Sequence, residues 1–432
     1  MESKTLKLFS QVLVKSLLIA GGLAGSLAEA VEPTVYQLGD GGAIAPHVSV
    51  EVGHDNNPLR ADEGSGETAY VRLQPSATYL VQRRNNRLSF GYRGDFYQYF
   101  EDYCQGQTGV VRPGDCLQGS PDFDKASYLD HVLTLDGFLE VSKRVRASLR
   151  LQQRIDHQPL GTGLSSDRGV LDALTTPDYW NRRIARAQLS YGAFQARGEV
   201  RVGLSVADRE LNTDRDNVNL DGQSDTSIAP FAQLLYRIGN RTQLFAGVSH
   251  DTVRGGVSDT ENQERDITRL NFGAELDPKA VTSGSVSVSF VNEDFLSEIR
   301  RDLSFIGWDV SLIWRPRTFS TITLSGGRET ESGIFDDDIS LTATLGADWV
   351  HFWRDRFSTS VQLTHEINEN VDPSSAFEGA DDRSTSFRFG GSYNVRRWLD
   401  IGGFVVIDTR DGNLEGRDFE RTVIGVTANG TI

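Results

Sequence analysis

Apolar and polar residues alternate one by one through segment after segment of this 432-residue chain. In 283–291, SGSVSVSFV, Val286, Val288 and Phe290 fall on one parity, and Ser285, Ser287 and Ser289 on the other. Successive side chains of a strand point to opposite faces, so a period of two gives each segment one apolar and one polar face. Eighteen such segments run from 44–53 to 418–430. The connections between them alternate in length. Short ones fall at Arg83-Arg84-Asn85, Ser142-Lys143-Arg144, Gly239-Asn240 and Arg396-Arg397; long ones occupy 54–67, 101–126, 158–178, 210–225 and 370–382. Eight short and nine long connections suit an all-β, up-and-down antiparallel meander whose two ends lie on the short-turn side.

A soluble β-sandwich also alternates, burying its apolar face in a dry core. Three features favour lipid over that core. Aromatics on the apolar parity, among them Trp308, Trp314, Trp349, Tyr393 and Trp398, sit near strand ends, as an interfacial girdle would. The turns lack Greek-key crossovers. A next-neighbour meander this long leaves two raw edges unless it closes. The pattern therefore predicts a closed transmembrane β-barrel of about 18 strands with short periplasmic turns and long outer loops. Only 38% of the residues are hydrophobic and 43 are glycine, a lean supply for a large solid core and an adequate one for a wet interior.

The N-terminus predicts export. Lys4, Lys7 and Lys15 precede the apolar stretch 16–30, SLLIAGGLAGSLAEA, which closes on Ala28 and Ala30 in the A-x-A pattern of a cleavage site. The expected organisation is a signal peptide over 1–30, a short periplasmic segment over 31–43 and the barrel over 44–432. The net charge is −16, with no basic run, which argues against a nucleic-acid partner. Cys104 and Cys116, close together in a polar segment, are expected to form one disulfide in an exported protein. Two cysteines without neighbouring His or further Cys do not make a metal site, and no cofactor is expected.

Eighteen strands enclose a bore too wide for side chains to fill. On three consecutive strands the inward parity is basic: Arg146, Arg150 and Arg154, then Arg186, then Arg197, Arg201 and Arg209. This predicts either a basic track for an anionic chain or a wall stiffened by Arg–carboxylate pairs with Asp136, Glu140 and Glu199. Clustered acids such as Asp336-Asp337-Asp338 lack the spacing of a calcium loop. His54-Asp55, His250-Asp251 and His365-Glu366 pair a base with a carboxylate in sequence, but neighbours in a strand face opposite ways. With no G-x-S-x-G elbow either, an enzyme is not expected.

The stretch VEVGHDNNPLR (50–60), at the end of the first strand, resembles the G-[YH]-D-[DN]-N-x-x-R element of the beta-barrel porin type 2 family, through Gly53, Asp55, Asn56, Asn57 and Arg60. The resemblance implies a monomeric porin in the outer membrane of a Gram-negative bacterium, surrounded by outer-membrane lipid. Members of that family are often associated with exopolysaccharide or capsule systems. It thus implies a conduit for polysaccharide secretion, with a polysaccharide chain and a periplasmic export protein as partners. A general or sugar-uptake porin and a surface binding or adhesion barrel are the rivals. Loop 101–126 discriminates, since folding inward suits a porin and projecting outward suits adhesion.

Overall fold

The computed structural model describes residues 35–431, except 40, 63–65, 101–122, 163–164, 166–175, 194–195, 213–223, 240, 256–263, 278–279, 298–299, 333–338, 372–380 and 414–416. The expected signal peptide and both cysteines lie outside the described residues. The strands are β1 Tyr36–Leu38, β2 Gly42–Asp55, β3 Thr68–Arg83, β4 Asn86–Tyr99, β5 Tyr128–Glu140, β6 Val145–His157, β7 Tyr179–Tyr191, β8 Gly198–Asn212, β9 Asp225–Ile238 and β10 Thr242–Gly255. They continue as β11 Arg265–Leu276, β12 Thr282–Phe295, β13 Leu303–Arg317, β14 Ser320–Ser332, β15 Ile339–Arg354, β16 Phe357–Asn370, β17 Asp381–Arg396, β18 Leu399–Gly412 and β19 Phe419–Gly430.

Each strand from β2 to β19 pairs antiparallel with its neighbour in sequence, and β19 pairs back onto β2. The expected closed barrel of eighteen strands is what the chain forms. The seam is its short joint, running only from Val423↔Asp55 to Gly430↔Val48. Below that point β2 would be a bare edge. β1 covers it by pairing Tyr36↔Ile44 through Leu38↔Gly42, so the edge is occupied over Gly42–Ile44. The barrel thus begins two residues before the expected boundary, and part of the 31–43 segment belongs to the sheet. Among the described residues no helix is long and apolar enough to cross a membrane.

One parity of every strand stands open to the outside and is apolar. Val52 is 48% exposed, Leu234 63%, Phe290 54%, Ile424 60% and Val426 60%. A contiguous apolar face running round the wall is far larger than the few hundred Å² a soluble monomer exposes, so this face needs lipid. A strand of 14 residues such as β2 extends roughly 46 Å at ~3.3 Å per residue. Tilted by about 40°, it projects roughly 35 Å, enough to cross an apolar band ~25 Å tall with some excess at the top. Tyr191, Tyr236, Trp314, Phe319, Trp353, Tyr393 and Trp398 ring the short-turn end, exposed on the outside. Below them the turns present Arg83, Arg84, Lys143, Arg144, Arg317, Arg354, Arg356, Arg396 and Arg397 to solvent.

Candidate functional site

The opposite parity lines the bore, and most of its charges are paired. Arg150 meets Asp136 across β5–β6 at 2.6 Å. Arg146 meets Glu199 at 2.6 Å, skipping over β7, and the same carboxylate takes Arg201 at 2.8 Å. Arg201 also reaches Glu275 on β11 at 2.8 Å. Arg154 forms an ion pair with Asp156 at 3.0 Å, and Arg209 donates to Asp225 at 2.5 Å. Arg186 makes no ion pair among the described residues; its guanidinium lies 4.6 Å from the Phe231 ring centre. Arg197 stands at the periplasmic edge of the wall, one residue before β8. It is an exposed residue of the turn before β8, and its carbonyl accepts from Arg237 N–H at 2.7 Å.

The GHDNN stretch does something the sequence left unassigned: it fastens the first strand to the last. The Asp55 carboxylate is fully buried at the top of β2. It accepts from Arg421 Nη2 at 2.6 Å and Nε at 3.0 Å, from Tyr99 Oη at 2.8 Å and from Asn57 N–H at 3.0 Å. The other arm of Arg421 donates to Asp408 at 2.8 Å. Asn56 Oδ1 accepts the Thr422 N–H at 2.6 Å, and Asn57 Nδ2 donates to the Glu420 carbonyl at 3.0 Å. Three consecutive residues of the motif therefore hold three consecutive residues of β19, Glu420 to Thr422. Gly53 is inward and has no room for a side chain. A Cβ there would stand 2.7 Å from both Tyr70 Oη and the Ile424 carbonyl oxygen. Arg60 ends the turn in the left-handed region (φ 49°), where Asn57 Oδ1 accepts the Ala61 N–H at 3.0 Å.

This latch folds the first outer loop into the bore rather than away from it. Leu59 packs with Leu160, Phe123 and Ala126 against the inward Tyr70, Tyr97, Tyr99, Phe404 and Val423. Gly161 (φ 73°) sits so close that a Cβ would be 2.2 Å from the Leu59 carbonyl oxygen. Four rings form a ladder across adjacent strands: Tyr70–Tyr97 at 4.5 Å between centroids, Tyr97–Tyr128 at 5.1 Å and Tyr128–His157 at 3.5 Å. Their faces are spent on one another, so the ladder stiffens the wall and presents edges to the bore. Beneath the cap lies a cavity of about 260 Å³ touched by Glu51, Arg60, Arg388, Phe404 and Asp408. Arg388 pairs with Glu51 at 3.4 Å and Arg72 with Asp95 at 2.5 Å.

Histidine–carboxylate pairs in sequence stay apart, since Asp55 faces inward while His54 meets Glu67 on the outside. A pair that sequence adjacency could not show is His157 Nδ1 with Asp130, 2.9 Å across the β5–β6 ladder. Among the described residues no group of His, Cys, Asp and Glu is arranged to hold a metal ion.

The family model described as "Putative beta-barrel porin 2" matches residues 41–431. The chain belongs to this family. It is a porin-like outer-membrane barrel, in a family of porins rather than enzymes. No curated protein matches it. Among solved structures, a bacterial polysaccharide outer membrane secretin matches at 10% identity and TM-score 0.31, over 90% of this chain and 98% of its own. A BenF-like porin from Pseudomonas fluorescens Pf-5 matches at 9% and 0.41, over 90% and 99%. Pseudomonas aeruginosa OccK11 (OpdR) matches at 12% and 0.41, over 90% and 96%.

Proposed function

We propose that this porin-family barrel is the conduit through which a Gram-negative cell secretes an exopolysaccharide or capsular polysaccharide. The observation that carries the reading is the bore itself: a wall of charged and hydroxylated side chains whose outer mouth is narrowed by a loop folded inward. A polymer that meets mainly hydrogen-bonding groups along the wall slides without a deep energy well, and conduction needs binding weak enough to release. The described end of loop 101–126 supports a porin over an adhesin, because Phe123 and Ala126 tuck into the mouth instead of projecting. The basic rim of periplasmic turns suits an acidic surface on an export protein delivering the chain from below. The leader over 1–30 would bring the protein to that compartment, and a barrel closed on itself can work as a monomer.

Deleting the gene and measuring surface polysaccharide tests the reading. Loss of the surface polymer with accumulation in the periplasm is the expected result. Normal surface polymer with slowed uptake of small sugars would replace it with an uptake porin, and intact transport with lost attachment would make it an adhesin.

A further inference from the structure

The wall of the bore across β4–β7 carries more arginines than its carboxylates pair with among the described residues. Across β4–β7 the register Arg93↔Val132, Val132↔Arg154 and Arg154↔Arg182 sets three arginines on one row. Four residues below Arg182 on the same face of β7 stands Arg186, opposite Arg150. Arg150 and Arg154 have Asp136 and Asp156, as described above. Arg93, Arg182 and Arg186 have no ion pair among the described residues. Arg182 instead lies 5.9 Å from the Trp180 ring centre and Arg186 leans on Phe231.

Arg182 stands directly opposite Arg154 and Arg186 opposite Arg150, and such like-charge neighbours favour a negative ligand beside them. The spacing says what that ligand is. Strands lie about 4.8 Å apart, so Arg93 and Arg182 are roughly 15 Å apart along the row, and Arg186 is about 13 Å below. Three guanidinium groups so far apart cannot converge on one small anion. They can each meet a carboxylate of a chain that carries them at intervals, and a guanidinium fork suits a carboxylate.

We propose that Arg93, Arg182 and Arg186 form a binding track for a polyanionic polysaccharide bearing repeated carboxylates. This deepens the secretion reading and rests on it. It also moves the contact residues: Arg146 and Arg201, inward as expected, are already occupied by Glu199 and Glu275 and are not part of the track.

The test is calorimetric binding of hexagalacturonate to the purified full-length barrel in detergent, beside monomeric galacturonate and neutral maltohexaose. Heat-modifiable gel migration confirms that each variant is folded. The expected result is binding of the hexamer only, weakened at least tenfold in R93Q/R182Q/R186Q and less than twofold in R146Q. No binding of hexagalacturonate to the wild-type barrel overturns the proposal, as does equal loss in R146Q or equal affinity for the monomer. Because binding is read without export, a failed track leaves the gene-deletion result to decide on secretion. Conversely, normal surface polymer on deletion would reject secretion even if the hexamer binds.

Discussion

Replacing Asp55 by Ala removes the acceptor for Arg421, Tyr99 Oη and Asn57 N–H in one step, all within 3.1 Å of a carboxylate with no solvent contact. Breaking a buried pair from one side typically costs about 3–5 kcal/mol, because the surviving charge is stranded. Arg421 keeps Asp408 on its other arm, which places the expected loss near the lower end, about 3 kcal/mol, or roughly a hundredfold in the folding equilibrium. The assay is urea unfolding of the barrel in lipid vesicles, followed by tryptophan fluorescence. D55A should lose about 3 kcal/mol, and D55A/R421A should lose at least about 1 kcal/mol less than the sum of the single variants, as expected for groups in direct contact. A loss under about 0.5 kcal/mol, the range of ordinary surface substitutions, or strict additivity, would refute the latch.

Gly53→Ala should cost about 1–3 kcal/mol in the same assay, since the new methyl meets the Ile424 backbone as well as Tyr70. Val288→Arg, on the lipid face, should cost about 2–4 kcal/mol in vesicles. Ser287→Arg, one residue along and facing the bore, should cost under ~0.5 kcal/mol, and equal effects would contradict the assignment of faces. Leu59→Ala with Leu160→Ala should loosen the cap and at least double single-channel conductance in planar bilayers, with unchanged conductance counting against a constricting cap.

Strand parity was legible because it is local. Glu51 and Val52 are neighbours in sequence, and the barrel sends one to Arg388 and leaves the other open on the outside. The family motif was legible as a pattern and silent as a mechanism. Asp55 and Arg421 are 366 residues apart and touch only because β19 closes on β2. Arg201 with Glu275 hid for a related reason: the pair bridges strands that are not sheet neighbours, so no cross-strand rule finds it. Arg182 shares the parity of Arg186 and is legible as an inward residue, but which arginines are already satisfied depends on pairs such as Arg146 with Glu199 that skip a strand.

A conduit through this barrel requires the apolar parity of each strand to meet hydrocarbon and the polar parity to meet water. Nitroxide labels placed singly at positions 285 to 290 of β12, in the barrel reconstituted in lipid vesicles, read this directly through collision with oxygen and with a water-soluble nickel complex. Oxygen should dominate at 286, 288 and 290 and nickel at 285, 287 and 289. A reversed alternation, or equal access at every position, would contradict it.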